Sequence, residues 1–200
     1  MTLREITKDA LSEILKKHLS WINDEPGGEK ADLSYADLRH ADLSYANLSY
    51  ANLRHADLSY ADLRSANLRS ADLSYADLRS ADLSYANLRS ADLRYANLSY
   101  ADLRSADLSY ADLSYADLSY ANLRYADLSY ADLRSANLDY SAFPLWCGSF
   151  GVKVDIRLGA QLAYHFCRLD TENEDVKKAQ KALKILANKF HRVKECGEIE

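Results

Sequence analysis

ADLSYADLSYADLSY, residues 106–120, writes one five-residue unit three times. A period of five fits neither common element. On an α-helix a leucine every five residues advances about 500°, a net 140° or so, and successive leucines scatter around the cylinder. On a flat strand an odd period sends them to alternate faces. A coil that turns a corner once per unit presents the same residue inward every time, so the period predicts a solenoid.

Extending outward from this stretch, residues 31–140 divide without remainder into 22 units of Ala, Asp or Asn, Leu and two variable residues, with no glycine or proline. Position two is Asp 15 times and Asn seven times; position four is Ser 11 times, Arg ten times and Asp once, at Asp139. Position five is Tyr 14 times, Ser six times and His twice, at His40 and His55. Ala and Leu lie two apart, on one face of a short extended segment, and one small plus one large apolar group per side fills a narrow interior. The expected core on the first side is Leu33, Leu53, Leu73, Leu93, Leu113 and Leu133 with Ala31, Ala51, Ala71, Ala91, Ala111 and Ala131. Positions two, four and five are expected to face water.

These tandem units resemble the pentapeptide-repeat family over the whole of 31–140. The resemblance implies an all-β repeat solenoid: a right-handed quadrilateral β-helix, four units per coil, about 5.5 coils long. At the ~4.8 Å spacing of stacked strands that is a rod of roughly 26 Å. An open solenoid exposes its core at both ends, so α-helical caps are expected in the flanks, 1–30 and 141–200.

The flanks read accordingly. Thr2 and Glu5 have the spacing of a capping box ahead of an amphipathic stripe that reaches Ile22, and Pro26-Gly27-Gly28 ends the helix. Residues 141–151 read as an irregular bridge, followed by a helix near 155–169. A last helix is expected to start with a second capping box, Thr171 and Glu174, and to carry a stripe of Val176, Ala179, Leu183, Leu186, Phe190 and Val193. That stripe is a candidate face for homodimerisation as well as for capping. ILKKHLSWI in the N-terminal flank, with FPLW, HFCRLD and ANKFHR in the C-terminal one, is similar to prophage-type members of the family.

No window has the 18 or more apolar residues of a membrane span, and the N-terminus is charged throughout rather than built like a signal peptide. Three cysteines without a CxxC pair read as reduced thiols, and the chain is placed in the cytoplasm. A zinc site drawn from Cys167, Cys196, His165 and His191 matches no standard spacing, so no metal and no cofactor are expected. His165 and His191 have no nucleophile constellation around them, and a loop-free convex rod offers no pocket, so no catalytic residue and no enzymatic activity are expected.

The resemblance also brings in DNA mimicry, since some members bind DNA gyrase through a DNA-like negative surface. Duplex DNA carries about one negative charge per 1.7 Å, so a ~26 Å rod would need roughly 15. Here 16 Asp against ten Arg leave six net negatives, and no side concentrates them. Asn52, and on another side Asn47, Asn67 and Asn87, break the acidic columns, which reads as self-compatibility between stacked coils. Tyr75, Tyr95 and Tyr115 align as a stacking ladder, while the net charge has the wrong sign for direct nucleic-acid binding. Nine of the 22 units are the identical ADLSY. That narrow alphabet points to an idealised consensus core with a structural role and no required partner; a gyrase-binding DNA mimic is the alternative, and partner binding or dimerisation through the C-terminal helices a second one.

Overall fold

The computed structural model describes residues 2–143, 151–168 and 172–189, and the chain divides into two compact units, 1–153 and 154–200. The first unit is built on a period of 20 residues. Position two of each unit forms a parallel bridge with position two four units later, as in Asp32 with Asn52, Asp72, Asp92, Asp112 and Asp132 in succession. Four units therefore make one coil, with one short strand per side.

Each corner is a turn closed by the position-one N–H and the preceding leucine carbonyl, as from Ala76 to Leu73 at 3.0 Å. All 22 position-five residues have a φ between 55° and 65°. A positive φ at the third residue of a turn closed in this way is the mark of type II. Glycine normally supplies it, yet here Tyr, Ser and His do so.

In the middle coils every backbone donor of the repeat is used. Through residues 51–120 the N–H groups of positions three and five donate to the next coil and that of position two to the preceding one. Position one closes the turn, and the remaining N–H, of position four, bonds to a side chain described below. This satisfaction lets a backbone with only one bridging residue per side stay folded.

At the N-terminal end, strand β1 (Arg4–Glu5) pairs in parallel with β2 (Ala36–Asp37), and the Arg4 Nη2 donates to the Asp32 carbonyl at 2.6 Å. Helix α1 (Lys8–Ile22) follows, with Thr7 as N-cap accepting from the Ala10 N–H. The Thr2–Glu5 capping box expected from the sequence is thus not formed. Residues 4 and 5 are drawn into the exposed edge of the first coil, where unpaired backbone groups favour a strand. His18 is fully buried; its Nδ1 accepts from the Ala31 N–H at 3.1 Å and its ring stacks on Trp21 at 5.6 Å. Gly28 is required there, because a Cβ would lie 2.4 Å from the Trp21 nitrogen.

The coil also runs past residue 140. Ala142 bridges Asn122 and Lys153 bridges Asp132, so part of the expected bridge segment continues the ladder. Phe143, five residues after Leu138, was the available signal.

The second unit is described by itself. Helix α2 (Ile156–Cys167) packs on α3 (Glu174–Ala187) around Ala160, Ala163, Tyr164 and Ala187. The N-cap of α3 is Asn173, whose Oδ1 accepts from the N–H groups of Asp175 and Val176. Glu174 is consequently the first helical residue and not the reaching-back member of a capping box; Thr171 lies outside the described residues. Among the described residues no helix is long and apolar enough to cross a membrane.

Candidate functional site

The candidate surface is the outward side of the repeat. Its geometry begins inside, where Leu33, Leu53, Leu73, Leu93, Leu113 and Leu133 are completely inaccessible and Ala31, Ala51, Ala71, Ala91, Ala111 and Ala131 are buried beside them. With positions one and three turned inward, what the repeat can show is written in positions two, four and five.

Position two serves its own turn. In every one of the 22 units the Asp or Asn Oδ1 accepts from the position-four N–H two residues on, as from Ser74 to Asp72 at 3.0 Å and from Arg89 to Asn87 at 3.1 Å. This Asx-type bond accounts for the use of Asp and Asn, whose side-chain oxygen makes it more strongly than the hydroxyl of Ser or Thr does. Asparagine adds a second bond between coils: Asn52 donates its Nδ2 to Asp32, and Asn137 to Asp117, both at 3.1 Å.

Position four divides by residue. Serine folds back, its hydroxyl donating to the position-two oxygen, as Ser59 does to Asp57 at 2.7 Å. Ser59, Ser74, Ser84 and Ser109 are buried in consequence, which corrects the expectation that position four faces water throughout. Arginine extends outward, and its partner is decided two residues earlier. All six arginines that follow an Asp, namely Arg39, Arg64, Arg79, Arg94, Arg104 and Arg134, pair with that same carboxylate. Three of them also approach the Asp one coil on, Arg64 reaching Asp82 at 3.9 Å. Among the described residues, none of the four that follow an Asn (Arg54, Arg69, Arg89 and Arg124) forms an ion pair. Two of these turn to rings instead: Arg54 to Tyr75 at 5.6 Å and Arg89 to Tyr110 at 4.6 Å.

The electrostatic outcome is neutralisation. The Arg64 guanidinium bonded to Asp62 holds that carboxyl below its ordinary range, and Arg39 and Arg134 do the same for Asp37 and Asp132. Six of the 16 repeat aspartates are neutralised by the arginine of their own unit. Burial is the main cause lowering the pKa of His18.

Position five carries the aromatics. Tyr35, His55, Tyr75, Tyr95 and Tyr115 stack in one unbroken column at 4.7 to 4.9 Å. A second column holds His40 on Tyr60, then Tyr100, Tyr120 and Tyr140 below a gap at Ser80. The alignment of these rings follows from the 20-residue period, whereas the steering of arginine by Asp or Asn was not anticipated. It was readable in principle, since every arginine of the repeat is preceded at a spacing of two by one or the other.

On α3, Leu183 and Leu186 pack against the core shared with α2, while Val176 and Ala179 are half-buried. That part of the proposed dimer face is engaged within the hairpin; Phe190 and Val193 lie outside the described residues. Cys167 donates its thiol to the Gln180 carbonyl at 3.4 Å, and its pKa is raised by burial. Cys196 and His191 lie outside the described residues, and among those described no cluster of His, Cys, Asp or Glu is arranged to hold a metal.

Among curated proteins none matches the chain. Solved structures do. Rfr23, a pentapeptide repeat protein from the cyanobacterium Cyanothece 51142, is 32% identical over 61% of this chain and 65% of its own, with a TM-score of 0.39. The chain thus spans a little under two thirds of that protein. The pentapeptide repeat protein alr5209 from Nostoc PCC 7120 is 30% identical over 78% of this chain and 100% of its own, with a TM-score of 0.45. QnrB1, a plasmid-mediated fluoroquinolone resistance protein, is 24% identical over 72% of this chain and 86% of its own, with a TM-score of 0.39. The family profile for pentapeptide repeats matches in eight overlapping copies, over residues 31–70, 46–84, 71–109, 86–124 and 101–139 among them. With its 20-residue coil, its inward leucines and this match across the repeat, the chain belongs to the pentapeptide-repeat family and has that family's right-handed β-helical fold.

Proposed function

We propose that the protein is a structural scaffold, an idealised consensus β-helix whose outward residues serve the coil itself and hold no evolved ligand. The observation that carries this reading is the use to which each polar position is put. Every position-two side chain bonds its own turn, six of the ten arginines neutralise the aspartate of their own unit, and eight of the 14 repeat tyrosines stack on another tyrosine. Aspartates occupied in this way, on a convex surface, are poor candidates for general acid or base work, so the reading includes no catalytic activity.

The alternative is a DNA mimic acting on gyrase. Charge is what separates the two, because about 15 net negatives are needed over a ~26 Å rod and the arginines leave six. A gyrase supercoiling assay with the protein titrated in, beside a variant in which all ten position-four arginines are changed to serine, tests it. Serine already occupies position four in 11 units, so the variant stays within the residues the coil accepts. The scaffold reading predicts that the parent leaves supercoiling unchanged. Inhibition by the parent at low concentration overturns it.

A further inference from the structure

The column Tyr45, Ser65, Tyr85, Ser105, Tyr125 alternates rings with serines at 20-residue spacing, and its position-two residues Asp42, Asp62, Asp82, Asp102 and Asn122 form one continuous ladder. Each serine leaves a gap one coil deep between two tyrosines. The flanking rings are about 9.6 Å apart, twice the ~4.8 Å repeat. A flat ring inserted at the serine's level would meet both neighbours at the 4.7 to 5.0 Å spacing that the stacked tyrosine pairs of this protein already have. The open ring faces show in the exposure: Tyr45, Tyr85 and Tyr125 are 77%, 68% and 74% exposed, against 45% and 47% for Tyr75 and Tyr95, which have a ring on either side.

The molecule itself shows what fills such a gap. Ser90, with Ser70 one coil before it, leaves a deeper space above Tyr110, and there the Arg89 guanidinium, a flat cation, lies 4.6 Å from the ring centre and donates to the Ser109 hydroxyl at 3.0 Å. With Arg89 on one face and Tyr130 on the other, Tyr110 is only 49% exposed. Arg89 is available because Asn87 precedes it. At Ser65 and Ser105 the corresponding Arg64 and Arg104 are held by Asp62 and Asp102, so the gaps beside them stay open, and the gap at Ser80, between Tyr60 and Tyr100, is of the same kind, with Arg79 held by Asp77. The electron-rich faces of two tyrosines favour a cation over a neutral or anionic ring.

We propose that the gaps at Ser65, Ser80 and Ser105 bind flat aromatic cations, intercalated between Tyr45 and Tyr85, between Tyr60 and Tyr100, and between Tyr85 and Tyr125. Proflavine, a planar cationic acridine, is the probe. Fluorescence titration of the full chain is expected to show saturable binding at the three gaps. Changing Ser65→Tyr, Ser80→Tyr and Ser105→Tyr together fills them with the residue most common at position five and is expected to weaken binding at least tenfold. Asp62→Asn with Asp77→Asn and Asp102→Asn, which frees Arg64, Arg79 and Arg104 to cover Tyr85, Tyr100 and Tyr125 as Arg89 covers Tyr110, is expected to act in the same direction. Circular dichroism on each variant verifies that the coil is intact. Binding that is undiminished in the filled variant, absent from the parent, or equally strong for the flat anion fluorescein overturns the proposal.

Discussion

Arg89 holds its guanidinium carbon 4.6 Å from the centre of the Tyr110 ring, while Arg64, two residues after an Asp instead of an Asn, is held by Asp62. One carboxylate against one amide decides which way an arginine turns. Asn87→Asp is therefore expected to pull Arg89 back and uncover Tyr110. Faster iodination of Tyr110 would report this, with a stability change within about 0.5 kcal/mol, because exposed ion pairs are weak.

The Asx bond separates what position two needs from what it merely carries. Asp72 accepts from the Ser74 N–H at 3.0 Å and its hydroxyl at 2.6 Å. Asp72→Asn keeps the acceptor and should cost no more than about 0.5 kcal/mol in a urea melt. Asp72→Ala leaves the turn donor unmet and should cost about 1–2 kcal/mol.

Strain at the corners predicts a gain as well as a loss. Ser70 has a φ of 55°. Asparagine tolerates this region better than serine does, so Ser70→Asn should raise the melting temperature slightly. Ser70→Val puts a β-branched residue there and should lower stability by about 1–2 kcal/mol.

His18 predicts a pH dependence. Its pKa is lowered in the folded chain by burial, so the unfolded chain takes up a proton first as the pH falls through the ordinary value of 6.5. Stability associated with the neutral ring is full above that value and is lost below it. His18→Gln, which still offers an acceptor to the Ala31 N–H, should flatten the dependence measured by denaturant unfolding between about pH 7.5 and 5.5.

The period of five, the inward Ala and Leu and the 20-residue alignment of tyrosines were legible from the sequence because one choice repeats 22 times and admits a single coil. Positive φ at Tyr and Ser was not legible, since glycine and asparagine are the residues that announce it. The ends were read less well for a related reason. Thr2 and Glu5 match a local capping rule, but the unpaired edge of the coil, a tertiary feature, converts Arg4 and Glu5 to strand. The arginine switch is not visible in the charge of a column, because the decisive relation is between positions two and four of one unit.

Each coil is an interchangeable module that makes the same bonds to the coil before it and the coil after it, and deleting residues 71–90 tests this. The deletion removes one coil and joins Ser70 to Ala91 with every column still in register, so that His55 would stack on Tyr95. A chain that still unfolds cooperatively, with an unchanged β-helical circular dichroism spectrum and a stability reduced by one coil's share, is the predicted result. Loss of the folded state on removing a single coil would contradict it.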